Sequence, residues 1–385
     1  MAQRVPAEIF PPGEIIREEL EERGWNQVDL AEILGRPLTL VNEIMTGKRA
    51  ISPETAQGLG DAFGVDPQFF LNLESAYQLW KVQKNKTHDA AVTRRADLYA
   101  KVPVLRELIR RRCIERSESI DVLRGRVLAF YGVKSFDEAP HLWPVAPRTP
   151  SPQLDWTHWA WLVRAKQIAP AVQVSRAFSD LKFREAIKKL KLLLHAPEEV
   201  RHAPRLLADA GIRLVVVEHF PKTKWDGACF WLDAKSPVVA LSLRYDRIDY
   251  FWHTLMHELW HVEKRHGLRD SHFPMDENIF GENSERPATR SEAEKLVDSL
   301  AAETLIPGAE LEGFIVRIGP LYGKTKIRDF ASKLKVHPGI VVGQLQHRDK
   351  IDWSHSREML ARVRQYIVDA ALTDGWGHSV PISAA

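Results

Sequence analysis

The run Phe251 to His266, FWHTLMHELWHVEKRH, constrains this chain more than any other stretch. It holds no proline or glycine, and Gly267 is its first strong breaker, so the pattern predicts one helix from Phe251 to His266. His257 and His261 are four apart and lie one above the other on a single face. There, two imidazoles can share one tetrahedral metal at about 2.0–2.1 Å. Glu258, offset by about 100° around the helix, stands beside such a metal and suits a general base for a hydrolytic water. The arrangement is HExxH. The plain alternative is a buried helix with two ordinary histidines.

A catalytic zinc takes three protein ligands and leaves one position for water. A third histidine at metzincin spacing would put glycine at position 264 and histidine at 267. Lys264 and Gly267 stand there, so the third ligand is expected from another helix. The stretch SEAEKLVDSLAAETLIP supplies one, with Glu294 and Asp298 four apart and Leu296, Val297, Leu300, Ala301 and Leu305 set around them. Glu294 can ligate while Asp298 accepts a hydrogen bond from the second nitrogen of a ligating histidine. Glu292 and Glu303 compete with Glu294 as ligands. His253 and His266 flank the motif and are read as solvated or satisfied histidines, although either could polarise a carbonyl.

HELWH, the downstream EKLVDSLAAETLIP and the preceding GACFWLDAKSPVVALSLRYDRIDYF resemble the ImmA/IrrE family of metallopeptidases over about residues 205 to 345. That resemblance implies zinc on His257, His261 and Glu294, with Glu258 catalytic and a repressor protein as substrate. The second motif departs from the family's usual ExxAN by carrying Val297-Asp298, and Leu300 stands where phenylalanine is common. A polar group is kept at position 298.

The N-terminal 80 residues read differently. Gly13 to Glu22 forms a first helix ended by Gly24; Asn26 caps a second, Gln27 to Leu34, stopped by Gly35; Leu38 to Thr46 is a third, closed by Gly47; Ser52-Pro53 starts a fourth. Leu30, Ala31, Leu34, Leu40, Val41 and Ile44 pack two of these across a tight turn, leaving Thr39, Asn42, Glu43 and Thr46 outward. A short helix presented in this way fits a major groove, and Arg36, Lys48 and Arg49 bracket it as phosphate anchors. From Pro12 to Leu73 the segment resembles Xre-type helix-turn-helix domains, HigA-like antitoxins in particular. That implies binding to double-stranded operator DNA. A single recognition helix reads too few base pairs, so a homodimer reading two half-sites is the expectation.

Charge resolves along the chain. Residues 1–80 hold six Lys/Arg against thirteen Asp/Glu, a net −7, and residues 81–126 hold thirteen against six, a net +7. The acidity of the first segment argues against strong nonspecific DNA affinity. The basic run RELIRRRCIER is read as a solvated helix face with a secondary capacity for phosphates. Two unpaired cysteines, Cys113 and Cys229, point to a reducing compartment, and no window reaches the roughly 18 apolar residues of a membrane span. The expectation is a cytoplasmic protein of α+β class. Its expected parts are a helix-turn-helix domain over 1–80, a mostly helical linker over 81–195, a zincin-like peptidase over 196–310 and a helical region over 311–385.

Within those parts, Ala139 to Pro152 reads as a loop, KTKWDGA as a turn between the strand-like runs RLVVVEHF and PVVALSLR, and IRDFASKLKVHPGIVVGQLQ as a second helix-turn-helix-like stretch. The function expected is a zinc-dependent endopeptidase joined to a DNA-binding regulator and acting on itself or a partner regulator. The alternative is an antitoxin whose zincin domain binds a toxin or other ligand without proteolysis.

Overall fold

The computed structural model describes residues 9–85, 90–140, 154–221, 223, 225–268, 275–277 and 292–375. Contacts divide the chain into two units, Met1–Arg94 and Arg95–Ala385. The expected loop from Ala139 to Pro152 lies, beyond Pro140, outside the described residues.

Unit 1 is built from short helices whose ends are written locally. These are α1 (Pro12–Arg23), α2 (Gln27–Leu34), α3 (Leu38–Met45), α4 (Pro53–Phe63) and α5 (Pro67–Asn85). The Asn26 side chain accepts from the Val28 and Asp29 N–H groups while Asp29 reaches back to the Asn26 N–H, a reciprocal cap on α2. Ser52 accepts from the Thr55 N–H and starts α4. Gly35, at φ 61°, stops α2 in the left-handed conformation that glycine adopts without penalty. Ile16, Leu30, Val41, Leu59 and Phe70, all at most 2% exposed, form the core. A Cβ on Gly13 would sit 2.3 Å from the Met45 carbonyl oxygen, so α1 and α3 cross in close contact there.

Further helices follow: α6 (Ala90–Lys101), α7 (Leu105–Arg110), α8 (Ile120–Tyr131), α9 (Trp156–Ile168), α10 (Asp180–Lys191) and α11 (Ala203–Asp209). They lead into a mixed sheet of β1 (Arg213–Val216), β2 (Trp225–Trp231), β3 (Pro237–Leu241), β4 (Met275–Glu277) and β5 (Leu372–Thr373), ordered β4-β2-β3-β1-β5. β1 runs parallel to β3 and β5, and β2 antiparallel to β3 and β4. The remaining helices are α12 (Ile248–Lys264), α13 (Glu292–Leu305), α14 (Gly308–Ile318), α15 (Lys324–Leu334), α16 (Pro338–His347) and α17 (Arg364–Ile367). The chain is thus mixed α+β, mostly helical with a small sheet. One apolar core runs from Phe178 on the approach to α10, through the sheet and α12, to Ala371 beside β5.

α12 lies at the centre of that core, packed on β2, β3, α13 and α16. Covered on several sides, it buries Trp252, Leu255, Met256 and Leu259 together with His253, His257, Glu258 and His261. Two sequence expectations are corrected here. The helix spans Ile248–Lys264 rather than Phe251 to His266, and it stops at Arg265, at φ 61°, before Gly267. The left-handed arginine is held by Asp180 at 2.9 Å and lies over the Phe178 ring at 4.5 Å, contacts that offset a backbone cost of roughly 1–2 kcal/mol.

The segment KTKWDGA is not a turn throughout, because β2 begins at Trp225 and is buried along its whole length. Its turn-forming residues have tertiary partners: Asp226 stands 3.9 Å from Arg244, and Gly227 faces Glu258.

Candidate metal centre and nucleic-acid interface

Two helices supply the candidate centre, each with a pair of polar residues one turn apart. α12 offers His257 and His261, and α13 offers Glu294 and Asp298. The two helices pack on each other; α13 buries Val297, Ala301 and Leu305 along one stripe, and Trp260 Nε1 donates to Thr304 Oγ1 at 3.0 Å across the pair. Apolar spacing therefore sets the register that brings the polar pairs face to face.

His257 Nε2 and His261 Nε2 lie 2.9 Å apart, and Glu294 Oε2 is 3.3 Å from the first and 3.4 Å from the second. Ligands at about 2.05 Å around a tetrahedral ion would be about 3.3 Å apart, so this donor set fits zinc in both spacing and chemistry. Both imidazoles are almost wholly buried and Glu294 partly so. Burial by itself would raise the Glu294 carboxyl; hydrogen bonds with His257 and His261, and their charge, outweigh it and hold the group well below the ordinary carboxylate value.

Around these three, Asp298 Oδ1 stands 2.8 Å from His257 Nδ1 and 3.7 Å from His253 Nε2. It too is depressed: burial raises it, and the contacts with His253 and His257 more than reverse that. His261 Nδ1 lies 2.7 Å from His266 Nδ1. His253 is 3% exposed, so neither it nor His266 is simply solvated. Glu292 is paired with Lys295 at 2.7 Å at the surface, and Glu303 accepts from the Gly308 N–H at 2.8 Å; neither joins the cluster. Glu258, fully buried, points from the next position of α12 toward β2.

Gly227 is the residue that sequence reasoning missed. A Cβ there would lie 2.7 Å from Glu258 Oε1 and 2.9 Å from Thr254 Cγ2, so only glycine lets the carboxylate rest against the strand. A lone glycine in the aromatic run WDGACFW was the available signal, since such a residue often marks close approach.

In unit 1, Thr39, Asn42 and Glu43 on α3, Thr46 at its C-cap, and Arg36, Lys48 and Arg49 beside it are all exposed, while Val41, Ile44 and Met45 seat the helix. Arg49 lies 3.1 Å from Glu43. Thr46 Oγ1 donates to the Asn42 carbonyl at 2.7 Å, turning the hydroxyl into the helix. The basic run is less solvated than expected. Arg111 is 4% exposed, donating to Glu107 and to the Glu218 and His219 carbonyls. The second helix-turn-helix-like stretch forms α15 and α16, but α16 buries every residue from Gly339 to Gln346 and offers no face to a groove.

Residues 16–70 match a family model described as helix-turn-helix. An uncharacterized HTH-type transcriptional regulator of Escherichia coli is 34% identical over 84 residues, 22% of this chain and 87% of that protein. Virulence-associated protein I of Dichelobacter nodosus is 40% identical over 76 residues, 20% of this chain and 70% of that protein. Among solved structures, Pseudomonas aeruginosa antitoxin HigA with higBA promoter is 34% identical and covers 21% of this chain and 95% of that chain, with a TM-score of 0.20. Through its N-terminal segment the chain belongs to the helix-turn-helix family. Among the described residues no helix is long and apolar enough to cross a membrane.

Proposed function

We propose that this chain is a DNA-binding transcriptional regulator whose second unit is a zinc-dependent endopeptidase, acting on itself or on a partner regulator. One observation carries the enzymatic half: His257 Nε2, His261 Nε2 and Glu294 Oε2 converge within 3.4 Å of one another in a buried site. Two imidazole nitrogens and a carboxylate oxygen aimed at one point are the three-ligand set of a catalytic zinc site, and the lone pairs that here share protons are the ones an ion would take. Bound there, zinc would supply Lewis acidity toward a scissile carbonyl and toward water.

The chain's own residues would do the rest. Asp298, 2.8 Å from His257 Nδ1, holds the Nδ1–H tautomer and leaves Nε2 as the ligating atom. His266 does the same from 2.7 Å for His261. Glu258 would accept a proton from the attacking water and return it to the leaving amine. The ImmA/IrrE resemblance favours a regulator protein as substrate.

The regulatory half rests on unit 1, where α3 presents Thr39, Asn42 and flanking cations on an exposed face, and on the relative named as a transcriptional regulator. Double-stranded operator DNA is its proposed partner. A second reading, an antitoxin or repressor whose zincin domain binds a toxin or other ligand without cleaving it, uses the same geometry. Glu258→Gln decides between them. Under the leading reading it retains zinc and operator binding but loses cleavage; cleavage by the variant at the wild-type rate, or none by either protein, would sink the enzymatic reading.

A further inference from the structure

α3 buries Val41, Ile44 and Met45, yet its first residue, Leu38, is 44% exposed. Leu38 and Asn42 are one turn apart and share a face. Among the described residues the Asn42 amide has no hydrogen-bond partner, its carbonyl alone accepting from Thr46. Glu43 is engaged by Arg49, so Leu38, Thr39 and Asn42 are the groups left to meet base edges.

Their chemistry is selective. In the major groove an asparagine amide matches the N6 and N7 edge of adenine, and the one apolar feature there is the C5-methyl group of thymine. Four residues of helix rise about 6 Å, and base pairs are stacked about 3.4 Å apart, so the two side chains address positions one or two steps from each other. Resting on the operator-binding reading above, we infer that Leu38 is a specificity-determining residue that packs on a thymine methyl beside an adenine held by Asn42.

The test starts from duplexes selected out of a random library by the full-length chain. The selected site is then resynthesised with deoxyuridine at single thymine positions, which removes the methyl group and leaves the hydrogen-bonding edge intact. One thymine per half-site should weaken binding about fourfold when replaced, the equivalent of about 0.8 kcal/mol for one buried methyl-sized group. Leu38→Ala should lose the same factor on the thymine duplex and nothing further on the uridine duplex. Because alanine is the best helix former, the variant should melt no lower than wild type. Equal losses on both duplexes, or an unchanged affinity with altered self-association, would overturn the assignment and make Leu38 a protein contact. Failure of the wild-type chain to enrich any site would remove the operator reading itself.

Discussion

Two helix pairs in this molecule share one local design and meet opposite fates. α2 ends on a left-handed residue, Gly35, and α3 starts after Pro37. α15 ends on a left-handed Lys335, and α16 starts at Pro338. The turns are alike, but α3 and its C-cap leave Leu38, Thr39, Asn42, Glu43 and Thr46 at the surface, whereas α16 is buried against α12, the helix of the candidate metal centre. Turn chemistry therefore builds the pair, and what packs on its second helix decides whether it can read anything outside itself.

The contrast breaks most easily at the candidate metal site. If zinc binds there as proposed, removing it by chelation, or His257→Ala, should abolish stoichiometric metal and lower the thermal transition of unit 2. For zinc at a thousandfold excess over Kd the loss is about 4 kcal/mol. Calorimetry of the full chain should show the unit 1 transition unmoved; a joint shift of both would show that the units melt as one.

A smaller effect is expected where α16 joins the core. Leu345, fully buried, should cost about 3 kcal/mol when cut to alanine, while Thr39→Ala on exposed α3 should stay within about 0.5 kcal/mol. Chemical denaturation reads both, and a tolerant Leu345 would mean that α16 is not fastened as described.

Acid should separate the units further. Burial raises Glu218, but its contacts with His219 and Arg364, the latter at 3.0 Å, bring its carboxyl down to about 2. A depressed folded value contributes stability that is present above the unfolded value, about 4.5, and is lost as pH falls from there toward 2. Glu218→Gln should thus destabilise unit 2 at neutral pH by about 2 kcal/mol, with the gap to wild type closing between pH 4.5 and 2. Within unit 1, Asn26→Ala removes the reciprocal cap on α2 and should destabilise the unit by about 1 kcal/mol, leaving metal content unchanged.

The helices of unit 1 were legible because their ends are coded by neighbours: Asn26 with Asp29, Ser52 with Thr55, Gly24 and Gly35 at the stops. Within the candidate centre the i, i+4 spacings of His257 with His261 and of Glu294 with Asp298 were equally visible, since a helix puts such pairs on one face whatever surrounds it. The sequence could not choose among Glu292, Glu294 and Glu303. Only the packing of α13 on α12 leaves one of them, Glu294, beside the imidazoles, on a helix that turns Val297, Ala301 and Leu305 inward.

Other features were tertiary from the start. Turn-forming Asp226 and Gly227 lie in a strand because β3 and β4 pair with it, and Arg244 and Glu258 stand beside them there; α12 stops at Arg265, whose side chain Asp180, Phe178 and Trp231 receive. α16, whose apolar run GIVVG fits either a seated helix or a buried one, was assigned to the core by the neighbours it found. The sequence by itself determined where the helices of unit 1 begin and end and which polar residues share a face, since those depend on contacts within a turn or two. Burial, the acid that joins the two imidazoles of the candidate centre and the fate of each helix-turn-helix pair depended on residues tens to hundreds of positions away, and the tertiary structure alone decided them.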